Sequence, residues 1–210
     1  MFNAAVRWQE IDTNPFTGCA RCAVEEKNPE YITESDFEKL IGTIDEDWLK
    51  EIVVFTVLTG LRRGEVTNLK WDQIILSNKI MTILSSPTFK TKGGRKRTIA
   101  LNESAVYILR KMLNFGVTGY VFTLNGSQVY ADWMSRKFAQ YVRNASIKGH
   151  PCFNTFRHTF NSWLVMKGIS IYSVSKLLGH SGVVTTQRYY AHLQPDELHD
   201  QVNKISIRLN

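Results

Sequence analysis

The sequence contains few cysteines and no long hydrophobic run. Its three cysteines are an odd number, which argues against the disulfide framework of a small secreted domain. The strongest hydrophobic run, Ile52 to Leu58, is 7 residues long and includes Thr56, whereas a helix needs about 20 apolar residues to cross a bilayer. The residues up to Phe16 also lack the apolar stretch of a secretory signal. We therefore expect a cytoplasmic protein that does not enter a membrane.

Acidic residues are outnumbered by basic ones. The chain has 26 Lys and Arg against 19 Asp and Glu, a formal net charge of +7. Such a balance favours a polyanionic partner, because each neutralised phosphate releases counterions. Charge alone does not separate a nucleic-acid partner from a merely basic surface. The 43% hydrophobic content over 210 residues is ordinary for a folded domain with one sizeable core.

Cys19 and Cys22 form a CxxC motif, which raises the question of a zinc site. A tetrahedral site would need two further ligands, and His150 and Cys152 are the only other close pair of suitable type. Nothing else in the sequence supports ligands shared between the two halves of the chain. We therefore prefer two incidental thiols and predict no metal site.

The first 30 residues have little periodic apolar pattern. Asn14-Pro15, Gly18 and Asn28-Pro29 interrupt them, which indicates an extended connector with turns. The sequence therefore predicts a linker over residues 1–30.

Beyond this linker the pattern is mainly helical. Thr33 and Asp36 match the ends of a capping box, and Trp48 to Thr59 is apolar on all faces, which predicts a buried helix ending at Gly60. A short helix is expected to follow over Glu65 to Leu69. The runs that predict a small antiparallel sheet are Gln73 to Leu76, Lys79 to Leu84 and Arg97 to Leu101. Further helices are predicted at Glu103 to Asn114, Ala131 to Ser146, Thr155 to Lys167, Ile171 to Leu178, Thr185 to His192 and Asp196 to Ile205. The fold class is therefore mainly α with a small antiparallel β-sheet (α+β).

Three separated motifs carry residues suited to phosphodiester chemistry. TGLRRGEV contains Arg62, TKGGRKRTIAL contains Lys92, and the stretch from NTFRHTF to KLLGHSGVVTTQRYYAH contains Arg157, His180 and Tyr189. Two arginines can neutralise the oxygens of a five-coordinate phosphorus without a metal. A tyrosine of pKa about 10 is a poor nucleophile unless cations or a base assist it.

From about Tyr31 onward, the residues, order and spacing of these motifs resemble the tyrosine recombinase (phage integrase) family. The resemblance implies the catalytic-domain fold of that family and a site-specific DNA recombinase, or integrase, that cuts and rejoins strands through a 3′-phosphotyrosyl intermediate. It implies double-stranded DNA as the partner, a homotetramer on DNA, and no cofactor, metal or small-molecule substrate.

The resemblance also assigns roles to individual residues. Arg62 and Arg157 are expected to hold the scissile phosphate, His180 to assist, and Tyr189 to attack. Lys92 is expected to protonate the departing 5′ oxygen, with Lys90 as the alternative. Glu65 matches a supporting acidic position, although a glutamate near a helix start has an equally plain explanation. Residues of the basic hairpin are expected to contact DNA phosphates: Lys90, Arg95, Lys96 and Arg97.

Two positions leave alternatives open. Spacing from His180 in the family favours Tyr189 as the nucleophile, whereas the local pattern Tyr-Ala-His would favour Tyr190; the two lie about 100° apart on a helix. Asn154 stands where family members usually carry histidine, and asparagine can position phosphate but cannot act as a base. His158 is expected to be structural or to cap the helix.

The resemblance further predicts domain boundaries and competing functions. Residues 1–30 would link to a missing amino-terminal domain, residues 31–192 would form the catalytic domain, and residues 193–210 would form a carboxy-terminal helix or tail for contact between protomers. A catalytically weak DNA-binding member is the first alternative, because of Asn154. A type IB topoisomerase, which reseals one duplex after rotation, is the second.

Overall fold

The amino-terminal segment contains a short helix that the sequence pattern did not predict. The structure, a computed structural model, describes residues 1–20, 29–86, 89–91, 94, 96–113, 119–179 and 182–193. Helix α1 (Phe2–Arg7) contains two alanines, the best helix formers, and the Phe2 ring contacts Phe16 with centroids 4.9 Å apart. The prediction of an extended chain is therefore wrong for these residues, although turns at Asn14 and Gly18 follow.

Helix α2 (Glu34–Thr43) begins as predicted. The Thr33 Oγ1 accepts a hydrogen bond from the Asp36 backbone N–H at 3.1 Å, which satisfies one of the free donors of the first turn. Just before it, the Ile32 backbone N–H donates to Thr159 Oγ1 at 3.0 Å. The chain is thus tied to the helical core from Ile32 onward.

Helix α3 (Asp47–Thr59) is the central helix of the core. Seven of its residues are buried, which agrees with its predicted all-round apolar pattern. It ends at Gly60, whose φ of 63° lies in the left-handed region that favours glycine. Helix α4 (Arg63–Thr67) follows with Arg62 as its N-cap residue.

The first sheet consists of three antiparallel strands, β1 (Ile74–Ile75), β2 (Ile80–Ile83) and β3 (Arg97–Ala100). Met81 pairs with Ile99, and Ile83 pairs with Arg97. The predicted run at Gln73 to Leu76 is longer than β1, because 3-10 turns occupy Trp71–Gln73 and Leu76–Asn78. The small antiparallel sheet itself is confirmed.

A second hairpin was missed by the sequence analysis. Strands β4 (Thr123–Leu124) and β5 (Ser127–Gln128) pair across Asn125-Gly126, and both turn residues have positive φ. Asn-Gly between two short strands is the commonest signal for a tight hairpin turn. The signal was therefore present in the sequence.

The remaining helices agree with the predicted ones to within about two residues at each end, the usual uncertainty of helix boundaries. They are α5 (Glu103–Leu113), α6 (Ala131–Asn144), α7 (Phe153–Met166), α8 (Ile171–Leu178) and α9 (Val183–Tyr190). A 3-10 turn at Ala191–Leu193 continues α9. The helix predicted at Asp196 to Ile205 lies outside the described residues.

The core has two parts. The main part surrounds α3, which packs against α5 and α7, and contains a group of aromatic rings at close distances: Phe55, Phe122, Phe138, Phe153 and Phe156. A smaller cluster contains Val165, Val174, Leu178 and Tyr190, so it joins the end of α7 to α8 and α9. In the part of the chain that the structure describes, no helix is long and apolar enough to cross a membrane.

Candidate active site

Arg157 lies inside the protein, on α7, where it joins the ends of two other helices. Only 4% of the residue is exposed. Its Nη1 donates to the Gly60 carbonyl at 2.7 Å, and its Nη2 donates to the Leu178 carbonyl at 2.9 Å. Carbonyl groups at helix carboxyl ends lack partners within their helix. Arg157 therefore holds the ends of α3 and α8 together.

Glu65 lies one turn into α4 and is bound to Arg62. Its Oε2 accepts from the Arg62 backbone N–H at 2.8 Å, and its Oε1 accepts from Arg62 Nη1 at 3.1 Å. The Glu65 side chain is 1% exposed, whereas that of Arg62 is 33% exposed. The carboxylate thus fixes Arg62 while part of the guanidinium remains open to solvent, as the supporting role predicted for Glu65 requires.

Arg97, predicted as a DNA contact, is bound to the same carboxylate. Its Nη1 and Nη2 donate to Glu65 Oε1 and Oε2 at 2.8 and 2.6 Å, and its side chain is 9% exposed. Its position follows from strand alternation, because residues two apart in β3 share a face and Ile99 is buried. The sequence carried this signal, but the basic run around Arg97 obscured it.

The arginines act on the pKa of Glu65. Burial opposes ionisation of this carboxyl, but the hydrogen bonds and charges of Arg97 and Arg62 outweigh it, so the pKa of Glu65 lies below its ordinary value. Glu65 is therefore ionised at neutral pH.

Positive charge exceeds negative charge in this group. We call Arg62, Arg97 and Arg157 around Glu65 the arginine cluster. Burial, followed by the charges of Arg62 and Arg97, lowers the pKa of Arg157 to about 9, and Glu65 offsets this only in part. The described side chains of the cluster are three guanidinium groups and one carboxylate. Such a group of positive charges, partly open to solvent at Arg62, favours the binding of an anion.

The two tyrosines of α9 have different surroundings. Tyr190 is 2% exposed, and its hydroxyl is bonded to His158 Nδ1 and accepts from Asn161 Nδ2 at 3.1 Å. Burial raises the pKa of Tyr190, although the Asn161 hydrogen bond and the Arg157 charge act against it. Tyr189 is partly exposed, and among the described residues its hydroxyl has no hydrogen-bond partner. Of the two tyrosines, Tyr189 is therefore the more exposed.

Asn154 and His158 lie one turn apart on α7 and contact each other. Asn154 Nδ2 is 3.1 Å from His158 Nε2, and Asn154 is exposed. Burial, followed by the charge of Arg157, lowers the pKa of His158. The contact of His158 with Tyr190 was not predicted, and neither was Asn161.

Several predicted residues fall outside the described part of the chain, namely Lys92, Arg95 and His180. Lys90 and Lys96 are exposed, as contact with DNA phosphates would require. Cys19 is an exposed free thiol and Cys22 lies outside the described residues. Among the described residues, no group of His, Cys, Asp and Glu side chains could hold a metal ion.

Three glycines of the sequence motifs lie so close to side chains of other elements that no Cβ would fit. A Cβ added to Gly60 would lie 2.6 Å from the Phe160 ring, one added to Gly64 would lie 2.9 Å from Phe89, and one added to Gly179 would lie 2.5 Å from Arg97 Cδ. Real Cβ contacts are essentially never shorter than 3.0 Å. The TGLRRGEV turn, the basic hairpin and the LGH turn therefore meet in one place, beside Arg157.

The sequence model of the phage integrase family matches residues 30–197. The chain belongs to the phage integrase family. The resemblance in the motifs is thereby confirmed, and so is the fold class. The match covers α2 through α9 and hence every described residue of the arginine cluster.

Known proteins of this family resemble the chain over most of its length. A tyrosine recombinase of Thermosipho africanus is 28% identical over 199 residues, which are 93% of this chain and 68% of the recombinase. The catalytic domain of bacteriophage HP1 integrase is 26% identical with a TM-score of 0.64, and the likeness covers 83% of this chain and 94% of that domain. A lambda integrase tetramer bound to a Holliday junction is 21% identical with a TM-score of 0.71, covering 90% of this chain and 55% of that one.

The chain is shorter than its curated relatives. It spans 68% of the Thermosipho recombinase and 54% and 62% of the lengths of two further integrases. The match therefore covers only part of the longer integrases, and their activities as whole proteins do not follow for this chain from the match alone.

Proposed function

We propose that residues 31–192 form the catalytic domain of a site-specific DNA recombinase that cuts and rejoins DNA through a 3′-phosphotyrosyl intermediate. The observation that carries the proposal is the arginine cluster beside the helix of the two tyrosines. Helix α9 packs against α7, and the charge of Arg157 acts on Tyr190. A scissile phosphate placed at the cluster would lie beside three guanidinium groups and next to a phenol.

In the proposed reaction, the Tyr189 hydroxyl attacks the phosphorus and loses its proton to His180. The bond from phosphorus to the 5′ oxygen breaks, and Lys92 protonates that oxygen as it leaves. Arg62 and Arg157 hold the non-bridging oxygens, whose negative charge grows in the transition state. Glu65 keeps Arg62 in place. Asn154, in the first turn of α7, would position the phosphate by a hydrogen bond but would not transfer a proton.

Rejoining reverses these steps. The 5′ hydroxyl of a partner strand attacks the phosphotyrosine, the phenolate leaves, and it regains its proton. One phosphoester replaces another at each stage, so the energy of the broken bond is kept and no nucleotide cofactor is needed. We propose double-stranded DNA as the partner, contacted through Lys90, Arg95 and Lys96.

Strand exchange requires two duplexes and therefore four protomers in a closed assembly. The tetramer of lambda integrase on a Holliday junction supports a homotetramer on DNA for this chain. In this arrangement residues 1–30 connect to a separate DNA-holding domain, and residues 193–210 contact a neighbouring protomer. The protein would act in the cytoplasm, where the DNA of a phage or mobile element is accessible.

A second function is favoured by Asn154. The usual histidine at this position is replaced by an amide that contacts His158, so one proton acceptor is absent. A family member that occupies its DNA sites without cutting them would tolerate this change.

The test uses nicked duplexes in which the cleaved fragment diffuses away and traps any covalent complex. The protein is incubated at low salt with duplexes drawn from the sequences flanking its gene, and adducts that resist denaturation are measured. We expect an adduct with wild-type protein, an adduct that still accumulates with time in Tyr190→Phe, and none with Tyr189→Phe, because Tyr189 is the more exposed of the two tyrosines.

The other outcomes separate the alternatives. Binding without any adduct would contradict the recombinase and favour the non-cutting function, with Asn154→His as the next variant. Relaxation of a supercoiled plasmid without strand exchange would favour a topoisomerase.

A further inference from the structure

Helix α9 depends on contacts with the rest of the protein. It has 8 residues, too few to be stable without tertiary contacts. Among its described residues, Tyr190 belongs to the buried hydrophobic cluster with Val165, Val174 and Leu178, and Thr186 is buried as well. Tyr189 packs at the edge of that cluster. Tyr190 is therefore one of the buried side chains that set the orientation of α9.

The Tyr190 hydroxyl is bonded on two sides by residues of α7. Asn161 Nδ2 donates to it at 3.1 Å, and His158 Nδ1 lies on its other side. His158 and Asn161 are three residues apart and so lie on one face of the helix. A single phenol oxygen between two fixed partners defines one position for the ring.

The hydrogen bonds that join these residues are consistent with a single direction of donation. Asn161 Nδ2 donates to the Tyr190 oxygen, the Tyr190 O–H donates to His158 Nδ1, and His158 Nε2–H donates to the Asn154 amide turned with its oxygen inward. The two orientations of an amide occupy the same space. This order of donors and acceptors requires that the His158 imidazole be neutral. The pKa of His158 is lowered, so the imidazole is neutral at neutral pH.

A buried hydroxyl has a structural cost that a phenyl ring avoids. If either partner were lost, the unsatisfied polar groups would destabilise the protein by about 1–3 kcal/mol. A phenylalanine at position 190 would fill the cluster without that risk. The contribution of the hydroxyl is therefore not hydrophobic contact. Its hydrogen bonds fix the position of the Tyr190 ring.

We propose that His158, Asn161 and Tyr190 form an anchor that fixes the rotation of α9 and thereby directs the Tyr189 hydroxyl toward the arginine cluster. We call these three residues the Tyr190 anchor. All three are positioning residues, and Asn154 orients His158. Adjacent residues differ by about 100° around a helix axis, so a small rotation of α9 moves the Tyr189 hydroxyl away from a phosphate. This inference rests on the proposed function, because it takes Tyr189 to be the nucleophile.

The first test separates DNA binding from the covalent step. We expect Tyr190→Phe to leave the dissociation constant for DNA within about twofold, because the hydroxyl is buried away from DNA, and to slow adduct formation at saturating DNA about 10- to 100-fold through misplacement of Tyr189. Tyr107→Phe is the matched control, since Tyr107 is 70% exposed on α5, and it should change neither quantity.

Variants at His158 test whether the contact itself matters. His158→Leu should slow adduct formation as much as Tyr190→Phe does, and the double variant should be no slower than either single one, because both remove the same interaction. His158→Asn keeps a polar atom near the position of Nδ1 and should restore much of the rate.

A second measurement needs no DNA and no reaction. Protein labelled with 3-fluorotyrosine gives a 19F NMR signal for Tyr189, assigned by its loss in Tyr189→Phe. With the anchor intact this signal should be single and narrow. In His158→Leu and Asn161→Leu it should broaden or split, while the signals of exposed tyrosines such as Tyr107 remain unchanged.

The outcomes are distinguishable. Full adduct rates in Tyr190→Phe together with an unchanged Tyr189 signal in both α7 variants would overturn the anchor. An adduct that survives Tyr189→Phe but is lost in Tyr190→Phe would also overturn it, by making Tyr190 the nucleophile, while the recombinase function would stand. If wild-type protein forms no adduct, the proposed function fails, and the NMR measurement alone decides whether the anchor exists.

Discussion

One buried carboxylate determines the positions of two arginines. Glu65 binds Arg97 through both oxygens and Arg62 through its backbone and side chain. The pair Arg97 and Glu65 is well inside the protein, so removal of either partner would leave an uncompensated charge. At this position a basic residue stabilises the site, and we expect its exposed neighbours to make the contacts with DNA.

Arg97→Gln and Lys96→Gln should therefore have opposite effects. Arg97→Gln is expected to lower the free energy of unfolding by about 3–5 kcal/mol without changing the salt dependence of DNA binding. Lys96→Gln should leave stability unchanged and reduce the slope of log K against log salt by about 1 if Lys96 contacts a phosphate. Urea denaturation and DNA titrations at several salt concentrations measure both. A reduced salt slope with unchanged stability in Arg97→Gln would show that this arginine contacts DNA instead.

The LGH turn depends on the absence of a side chain at Gly179. Its φ is 66°, and a Cβ there would lie 2.5 Å from Arg97 Cδ. Gly119 has the same φ of 66°, but a Cβ there would have nothing within 4 Å, so Gly119→Ala isolates the backbone cost of about 1–2 kcal/mol. Gly179→Ala should lose more stability than Gly119→Ala, because Arg97 must also move. Equal losses in thermal unfolding would mean that Arg97 does not pack on this turn.

Sequence patterns determined most elements but not the contacts between them. The apolar run of α3 and its stop at Gly60, the cap at Thr33, and the paired runs of β2 and β3 were all predictable from local chemistry. Helix α1 was missed because FNAAVR is too short for a periodic pattern. The 3-10 turns beside β1 were missed because they interrupt an apolar run that is otherwise typical of a strand.

The cap of α2 gives a test at the scale of one element. Thr33→Ala removes the hydroxyl that accepts from Asp36 N–H at 3.1 Å and should lower the free energy of unfolding by about 1 kcal/mol. Thr33→Ser keeps the hydroxyl and should lose much less. Chemical denaturation of the three proteins measures the difference. Equal losses in both variants would assign the effect to the threonine methyl group.

At the scale of the whole molecule, the sequence indicated which residues belong to the site better than it indicated what each side chain contacts. The family and the residues Arg62, Arg157 and Glu65 could be named from three motifs, because phosphodiester chemistry restricts residue types and spacing. The burial of Arg97, the partners of Tyr190 and the contact of Asn154 with His158 depend on how α7, α9 and β3 pack. Those contacts join residues up to 32 positions apart, as His158 with Tyr190 and Arg97 with Glu65, so they are beyond the reach of local patterns.

The net charge of +7 is consistent with a DNA-binding protein, but its distribution is uneven. Part of it lies in the buried arginine cluster, and part lies at exposed residues such as Lys90 and Lys96. The two parts have different consequences, because exposed charges are screened by salt and buried ones much less so. DNA affinity should therefore depend on salt through the exposed lysines.

The most direct measurement is the identification of the residue that bears the nucleotide in a trapped complex. Trypsin cleaves after Arg188 and leaves both tyrosines at the start of one peptide; after nuclease digestion, fragmentation in a mass spectrometer distinguishes them. We predict a 3′-linked nucleotide on Tyr189. A nucleotide on any other residue would contradict the assigned nucleophile, and a complex without a phosphotyrosyl bond would contradict the mechanism itself.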